Sequence, residues 1–284
     1  MKNFVIIHTP KGYKYSSMVA DEIVSSGYNC FLTTITAVEK LLKEKNLTPN
    51  NTVIHTRTAH PGYVYQLLKK LAGKGYKIYN NPETVKLTSQ KYLSCVHMEK
   101  HHLPCAETIK VKRSEEINKV KELLGQWSKV IVKPLTSKGQ GEYAFCFSQK
   151  NLDELGDIQT IPADEVIIQK YVSYTRLSRV IVVGFKALEG AVFYDEPGNG
   201  WKCSVCLNPA IKIYHNPPKE LLELAEKSAR AFNGEVFFID IFSTPDGFVL
   251  NEINTACSLI LHQKISGVNI AQFFAQRLIK LSKE

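Results

Sequence analysis

Asp240, Glu252 and Asn254 are the side chains of this sequence best suited to hold a metal ion. They lie on two apolar runs, 237–242 and 248–254, joined by Ser-Thr-Pro-Asp-Gly at 243–247, which has the turn chemistry of a hairpin. Side chains alternate faces along a strand, so Glu252 and Asn254 share one face and Asp240 on the partner strand can join them. Two carboxylates and an amide oxygen are the hard donors that Mg²⁺ prefers, and Mg²⁺ keeps coordination positions for substrate phosphates. The same alternation also describes the solvent face of an ordinary half-buried hairpin, and the residues alone leave both readings open.

A second group lies upstream. The run Val-Ile-Val-Lys-Pro at 130–134 brings Lys133 to a strand end, and Leu-Thr-Ser-Lys-Gly-Gln-Gly follows at 135–141, ahead of another strand at 143–147. A loop rich in Ser and Gly offers backbone N–H groups to phosphate oxygens, with Lys133 as a fixed charge beside them. Such a loop is also an ordinary turn, and no Gly-Lys-Ser/Thr opens a helix here, so the Walker A pattern is absent. A third run, 166–172, changes from apolar to polar through Gln169, Lys170, Tyr171 and Val172, and a strand at 179–184 opens on Arg179.

The elements that must position these residues read in two styles. Strands at 4–8, 29–35, 52–55 and 76–79 alternate with helices at 16–26, 37–45 and 64–73, which implies a parallel sheet with crossovers. Gly27 and Gly75 stand where helices should stop. Ligands approach such sheets at the C-terminal strand ends, which marks the loops 8–13 and 56–61, the latter holding Arg57. Later helices are expected from near Val85, at 114–124, at 219–232 and at 270–280.

A chain of 284 residues is long enough for two or three lobes with real cores. No apolar stretch is of membrane-spanning length, and the N-terminus turns polar too soon for a signal peptide, so a cytoplasmic protein is expected. The seven cysteines are odd in number and scattered, which suits reduced core thiols. Cys203 and Cys206 form an isolated C-x-x-C, and His97, His101 and His102 a helical cluster; each reads more simply as packing than as a metal site. The net charge of +9 suits anionic ligands. Its spread along the chain argues against a nucleic-acid partner.

The order of lysine strand, glycine loop, hinge strand, arginine strand and Asp…Glu-x-Asn hairpin strongly resembles the ATP-grasp superfamily, and within it the RimK/LysX-like carboxylate–amine ligases. The resemblance implies an α/β protein with an α+β catalytic core. An N-terminal small parallel α/β (pre-ATP-grasp) domain would span 1–81, a central lobe with a glycine-loop lid 82–168, and a C-terminal lobe with the Mg-binding hairpin 169–284. By the same resemblance Lys91 and Lys133 neutralise ATP phosphates, and Ser137, Lys138, Gly139, Gln140 and Gly141 fold over them. The main chain of Gln169, Lys170, Tyr171 and Val172 holds adenine. Asp240, Glu252 and Asn254 hold one or two Mg²⁺ ions, with Mn²⁺ as the alternative. Arg179 and Lys202 carry charge at the transferred phosphoryl group, and Arg57 and Ser258 face the substrate.

The implied reaction is amide or peptide bond formation through an acyl phosphate, adding an amino acid such as glutamate to a small molecule, peptide or protein. A kinase of a small hydroxyl substrate and a non-catalytic ATP-binding module are the alternatives, and a homodimer is left open. Five departures from the family pattern stand out. Lys170 and Leu177 occupy positions that commonly carry acids, Lys202 and Ser204 replace Arg and Asn, and Ala256-Cys257-Ser258 replaces a small-Pro-Gly segment.

Overall fold

The computed structural model describes residues 2–58, 62–136, 143–198, 200–203 and 211–284. β1 (Asn3–His8), β2 (Asn29–Thr34), β3 (Thr52–Arg57) and β4 (Lys77–Tyr79) form a parallel sheet in the order β2-β1-β3-β4. The crossovers are α1 (Tyr13–Ser25), α2 (Val38–Glu44) and α3 (Tyr63–Gly73). Helices on both faces explain why β1 and β3 are buried almost throughout. Phe4, Ile6 and Val53 enter one core with Val19 and Ile23 of α1, while Val5, Ile7 and Ile54 enter another with Val38 of α2 and Leu68 of α3. Gly27 and Gly75 take φ of +85° and +90° just past α1 and α3, the left-handed geometry that ends helices. β3 runs two residues beyond its expected end at His55, so Arg57 belongs to the strand and not to the loop.

The helix expected from near Val85 is two helices, α4 (Pro82–Ser89) and α5 (Lys91–Lys100). They part at Gln90, whose φ of −127° and ψ of 113° are extended. The cause is long-range: Lys91 N–H donates to Leu135 O at 2.8 Å instead of to its own helix. β5 (Thr108–Lys112), β6 (Lys129–Pro134), β7 (Phe145–Ser148) and β8 (Glu165–Lys170) then form an antiparallel sheet, β5-β8-β6-β7. α6 (Glu116–Trp127) packs on it through Val120, Leu123 and Leu124.

β9 (Arg176–Val183), β10 (Lys186–Asp195), β11 (Lys212–Ile213), β12 (Val236–Thr244) and β13 (Gly247–Asn254) build a third sheet in the order β11-β10-β9-β12-β13. β9 begins three residues before its expected start, which moves Arg179 from a strand end into the sheet interior. Two further helices follow α7 (Lys219–Ala231): α8 (Ile260–Ser266) and α9 (Ile270–Lys283). Val180, Val182, Phe237 and Ile239 meet α7, while Ile181, Val183 and Phe238 meet Phe274 and Leu278 of α9. That second face shares its core with Phe4 and Ile6, so the N-terminal sheet is welded to the C-terminal one. Asn80 reinforces the join: its side chain accepts from Glu235 N and Val236 N at 2.6 and 3.0 Å and donates to Val236 O at 2.8 Å.

Candidate active site

A cavity of about 910 Å³ opens where the three sheets approach one another. Every described residue assigned above to nucleotide, metal or substrate lines it. Ser137, Lys138, Gly139, Gln140 and Gly141 lie outside the described residues, as do Ser204 and Cys206. Among the described lining residues, eight cationic side chains accompany two carboxylates. Such an excess attracts a polyanion.

One part of the cavity wall is a ladder of charges. Arg179, Asp240 and Glu252 sit abreast on β9, β12 and β13. A bulge makes this alignment: pairing steps from Asp240–Glu252 to Ile241–Leu250, leaving Asn251 as the extra residue. Bulges re-aim side chains in this way. Arg179 Nε and Nη2 donate to Asp240 Oδ1 and Oδ2, both at 2.8 Å. Lys91 Nζ closes the ladder 2.5 Å from Glu252 Oε1. Burial pushes the Asp240 carboxyl up, with the Arg179 guanidinium opposing and Glu252 adding to the rise. Asn254 stands two residues beyond Glu252 on the same strand, and so on the same face.

Lys133 approaches from the other sheet. Its ammonium donates to Gln169 Oε1 at 2.9 Å, and the Gln169 amide is oriented by donating to Thr108 Oγ1 at 2.9 Å. Burial, with Lys91 nearby, pulls Lys133 down to about 8. Beyond it the chain leaves β8 through Lys170, Tyr171 and Val172. Lys170 N donates to Glu107 O at 2.9 Å, and its side chain turns out to pair with Glu107 Oε1 at 2.5 Å. The departure at Lys170 therefore places its ammonium at the surface, on Glu107. Lys129 Nζ lies 3.9 Å from the Tyr171 ring centroid, and Lys202 Nζ lies 5.8 Å from the Trp201 ring.

At the opposite end, Arg57 is 4% exposed. Its Nη2 donates to Cys257 O at 2.5 Å, its Nη1 has no hydrogen-bond partner among the described residues, and its guanidinium lies 5.5 Å from the Phe274 ring. Burial pulls it down to about 10. Its strand neighbour His55 is pushed to about 3 by burial, and so stays neutral, with Nδ1 2.5 Å from Tyr79 O.

A family model for the RimK-like ATP-grasp domain matches residues 88–278. The chain belongs to this family. The coenzyme gamma-F420-2:alpha-L-glutamate ligase of Methanocaldococcus jannaschii is 23% identical over 293 aligned positions, covering 98% of this chain and 99% of that protein. The tetrahydromethanopterin:alpha-L-glutamate ligase of the same organism is 24% identical, covering 72% and 71%. Among solved structures, the ATP-grasp ligase PsnB complexed with minimal precursor, Mg and ADP superposes with a TM-score of 0.71 at 14% identity, covering 99% of this chain and 98% of that one. The fold of this RimK-like protein is thus the ATP-grasp fold.

Several lining residues of this RimK-like ATP-grasp protein were not picked out from sequence. Lys264 on α8 and Tyr15 on α1 line the cavity, and Gln169 acts through its side chain as well as its backbone. Thr9, Lys11 and Gly12 lie in the loop 8–13 that the parallel-sheet rule had marked. Among the described residues no three His, Cys, Asp or Glu side chains gather to hold a metal, none of the six described cysteines forms a disulfide, and no helix is long and apolar enough to cross a membrane. His97 is occupied by Ala231 O at 2.9 Å and by the Phe232 ring.

Proposed function

We propose that this RimK-like ATP-grasp protein is an ATP-dependent carboxylate–amine ligase that adds an amino acid, glutamate in the first instance, to a small-molecule or peptide acceptor through an acyl phosphate. The observation that carries this reading is the single cavity in which Lys91, Lys133 and Arg179 surround the carboxylates Asp240 and Glu252, with a buried arginine at the far end. The two methanogen relatives are named as glutamate ligases, and none of the relatives named above is a kinase.

In this reading adenine lies along Gln169–Val172 and the triphosphate runs toward the charge ladder. Glu252, Asn254 and Asp240 hold Mg²⁺, which supplies charge neutralisation at the phosphates. The donor set fits: each Asp240 oxygen bonded to Arg179 keeps a second lone pair, and all three donors are hard oxygens. Arg57 anchors a carboxylate at the far end, where its Nη1 has no competing acceptor among the described residues.

The acceptor carboxylate attacks the γ-phosphorus, forming an acyl phosphate and releasing ADP. The amine then attacks the acyl carbon, phosphate leaves with the C–O bond, and the nitrogen loses a proton. Lys91, Lys133 and Arg179 act by position and charge, which is most of what phosphoryl transfer requires.

The test is a mass-spectrometric screen with Mg-ATP, glutamate and a panel of carboxylate acceptors. ADP release that depends on an acceptor, with a product heavier by one glutamyl residue, is the expected result. ADP formation that never needs a carboxylate overturns it.

A further inference from the structure

One wall of the cavity between the hinge at Gln169–Val172 and the charge ladder is apolar. From it we infer that the protein binds its nucleotide without an ionised acceptor at the sugar hydroxyls, and so accepts 2′-deoxy- and 3′-deoxynucleotides alongside ribonucleotides. The inference rests on the Mg-ATP reading of the same cavity.

The sheet register fixes where the sugar must lie. Arg179 faces Asp240 across β9 and β12, and Leu177 faces Phe242 two residues nearer the hinge. One such step is about 6.7 Å along a strand, the span between a nucleotide's phosphates and its base. The rung that the sugar meets is therefore the Leu177–Phe242 rung.

Leu177 is 4% exposed and lines the cavity, as do Phe242 and, on the next strand, Leu250. Tyr174 stacks on Phe242 with ring centroids 4.2 Å apart, and its hydroxyl is committed to Trp201 O at 2.8 Å. Among the described lining residues the carboxylates are Asp240 and Glu252, both on the ladder and both engaged by cations. A sugar hydroxyl resting on this wall gains no ionised acceptor, so deleting it costs the nucleotide little.

The test is calorimetric titration of the full-length protein with the Mg²⁺ complexes of ATP, 2′-deoxyATP and 3′-deoxyATP. A hydroxyl bonded to an ionised acceptor is worth on the order of 10- to 100-fold in affinity. Both deoxynucleotides are expected within about tenfold of ATP, and a larger penalty for either one overturns the inference. If ATP itself does not bind, the underlying ligase reading fails first, which is a distinguishable outcome. A second measurement uses Leu177→Glu, checked for folding by circular dichroism. It should raise the preference for ATP over the deoxynucleotides by roughly tenfold; an unchanged ratio in the folded variant also overturns the inference. Should that variant not fold, the wild-type comparison decides alone.

Discussion

Arg179 and Asp240 meet in a two-point contact in which both side chains are almost fully buried, at 2% and 6% exposure. Glu252, on the neighbouring strand, is held by Lys91 of α5 through a partly exposed ion pair. The groups proposed to take phosphate are thus held by those proposed to take the metal. Binding of a metal–triphosphate would exchange partners within the ladder and strand no charge. An ion pair makes a waiting site cheaper to hold than bare charges would be, because an uncompensated buried charge carries a large desolvation penalty.

The first prediction concerns stability. Truncating either member of the Arg179–Asp240 pair to Ala removes the opposite charge that compensates the other's buried charge, at a cost of about 3–5 kcal/mol. The double variant Arg179→Met with Asp240→Leu should recover most of that cost while losing Mg-ATP binding, since an apolar pair of similar volume is tolerated. Urea unfolding of the three variants checks this. Single truncations that cost under about 1 kcal/mol mean that water reaches the pair in solution.

Glu252→Gln separates metal binding from folding. The Lys91–Glu252 pair is partly exposed, at 20% and 28%, and pairs of that kind contribute about 1 kcal/mol or less. The melting temperature should hardly move. The enhancement of ATP affinity by Mg²⁺ should fall by more than about tenfold, because even outer partners of a metal are worth 10- to 100-fold. Full Mg²⁺ dependence in this variant would remove Glu252 from the ion's ligands.

The sequence exposes this site well because its chemistry rides on period-2 patterns. Alternation across 248–254 puts Glu252 and Asn254 on one face, and the polar turn in 166–172 marks the hinge. What it hides is set by contacts distant along the chain. The Asp240–Glu252 alignment needs the Asn251 bulge, which no local pattern announces. The break at Gln90 follows from a hydrogen bond between Lys91 N and Leu135 O. The Gln169 clamp on Lys133 needs Thr108 from a strand sixty-one residues away. Lys264 resembles any other helical lysine until α8 is seen against the cavity.

Arg57 gives a prediction in which stability and function move apart. It is a buried cation with one carbonyl partner and no carboxylate bonded to it. Arg57→Met keeps much of the volume and removes the desolvation cost, so the unfolding midpoint should hold or rise. ATP affinity should be unaffected, whereas the KM of the carboxylate substrate should rise by about 10- to 100-fold, the worth of a charge-assisted hydrogen bond. A variant that unfolds more easily yet keeps its KM would assign Arg57 to structure alone.

Lys133 predicts how nucleotide binding depends on pH. Burial and Lys91 pull its ammonium down to about 8 in the free protein. Below that pH the group is charged and attracts phosphate. As pH rises through 8 the free protein loses the proton, whereas bound phosphate favours keeping it. Binding above pH 8 must then take up a proton, so affinity should fall by up to about tenfold per pH unit. Lys133→Arg retains its charge throughout this range, because guanidinium does not titrate there. Its affinity should stay level from pH 7 to 9.5, even if it is lower overall because the longer head group disturbs the Gln169 contact. Titrations of Mg-ADP across that range compare the two slopes. A wild-type profile as flat as the variant's would mean that Lys133 either remains charged in the free protein or does not touch the phosphates. Repeating the titration with Gln169→Leu separates those cases. Loss of the amide acceptor should move the break in the profile further below 8 only if Lys133 is the titrating group.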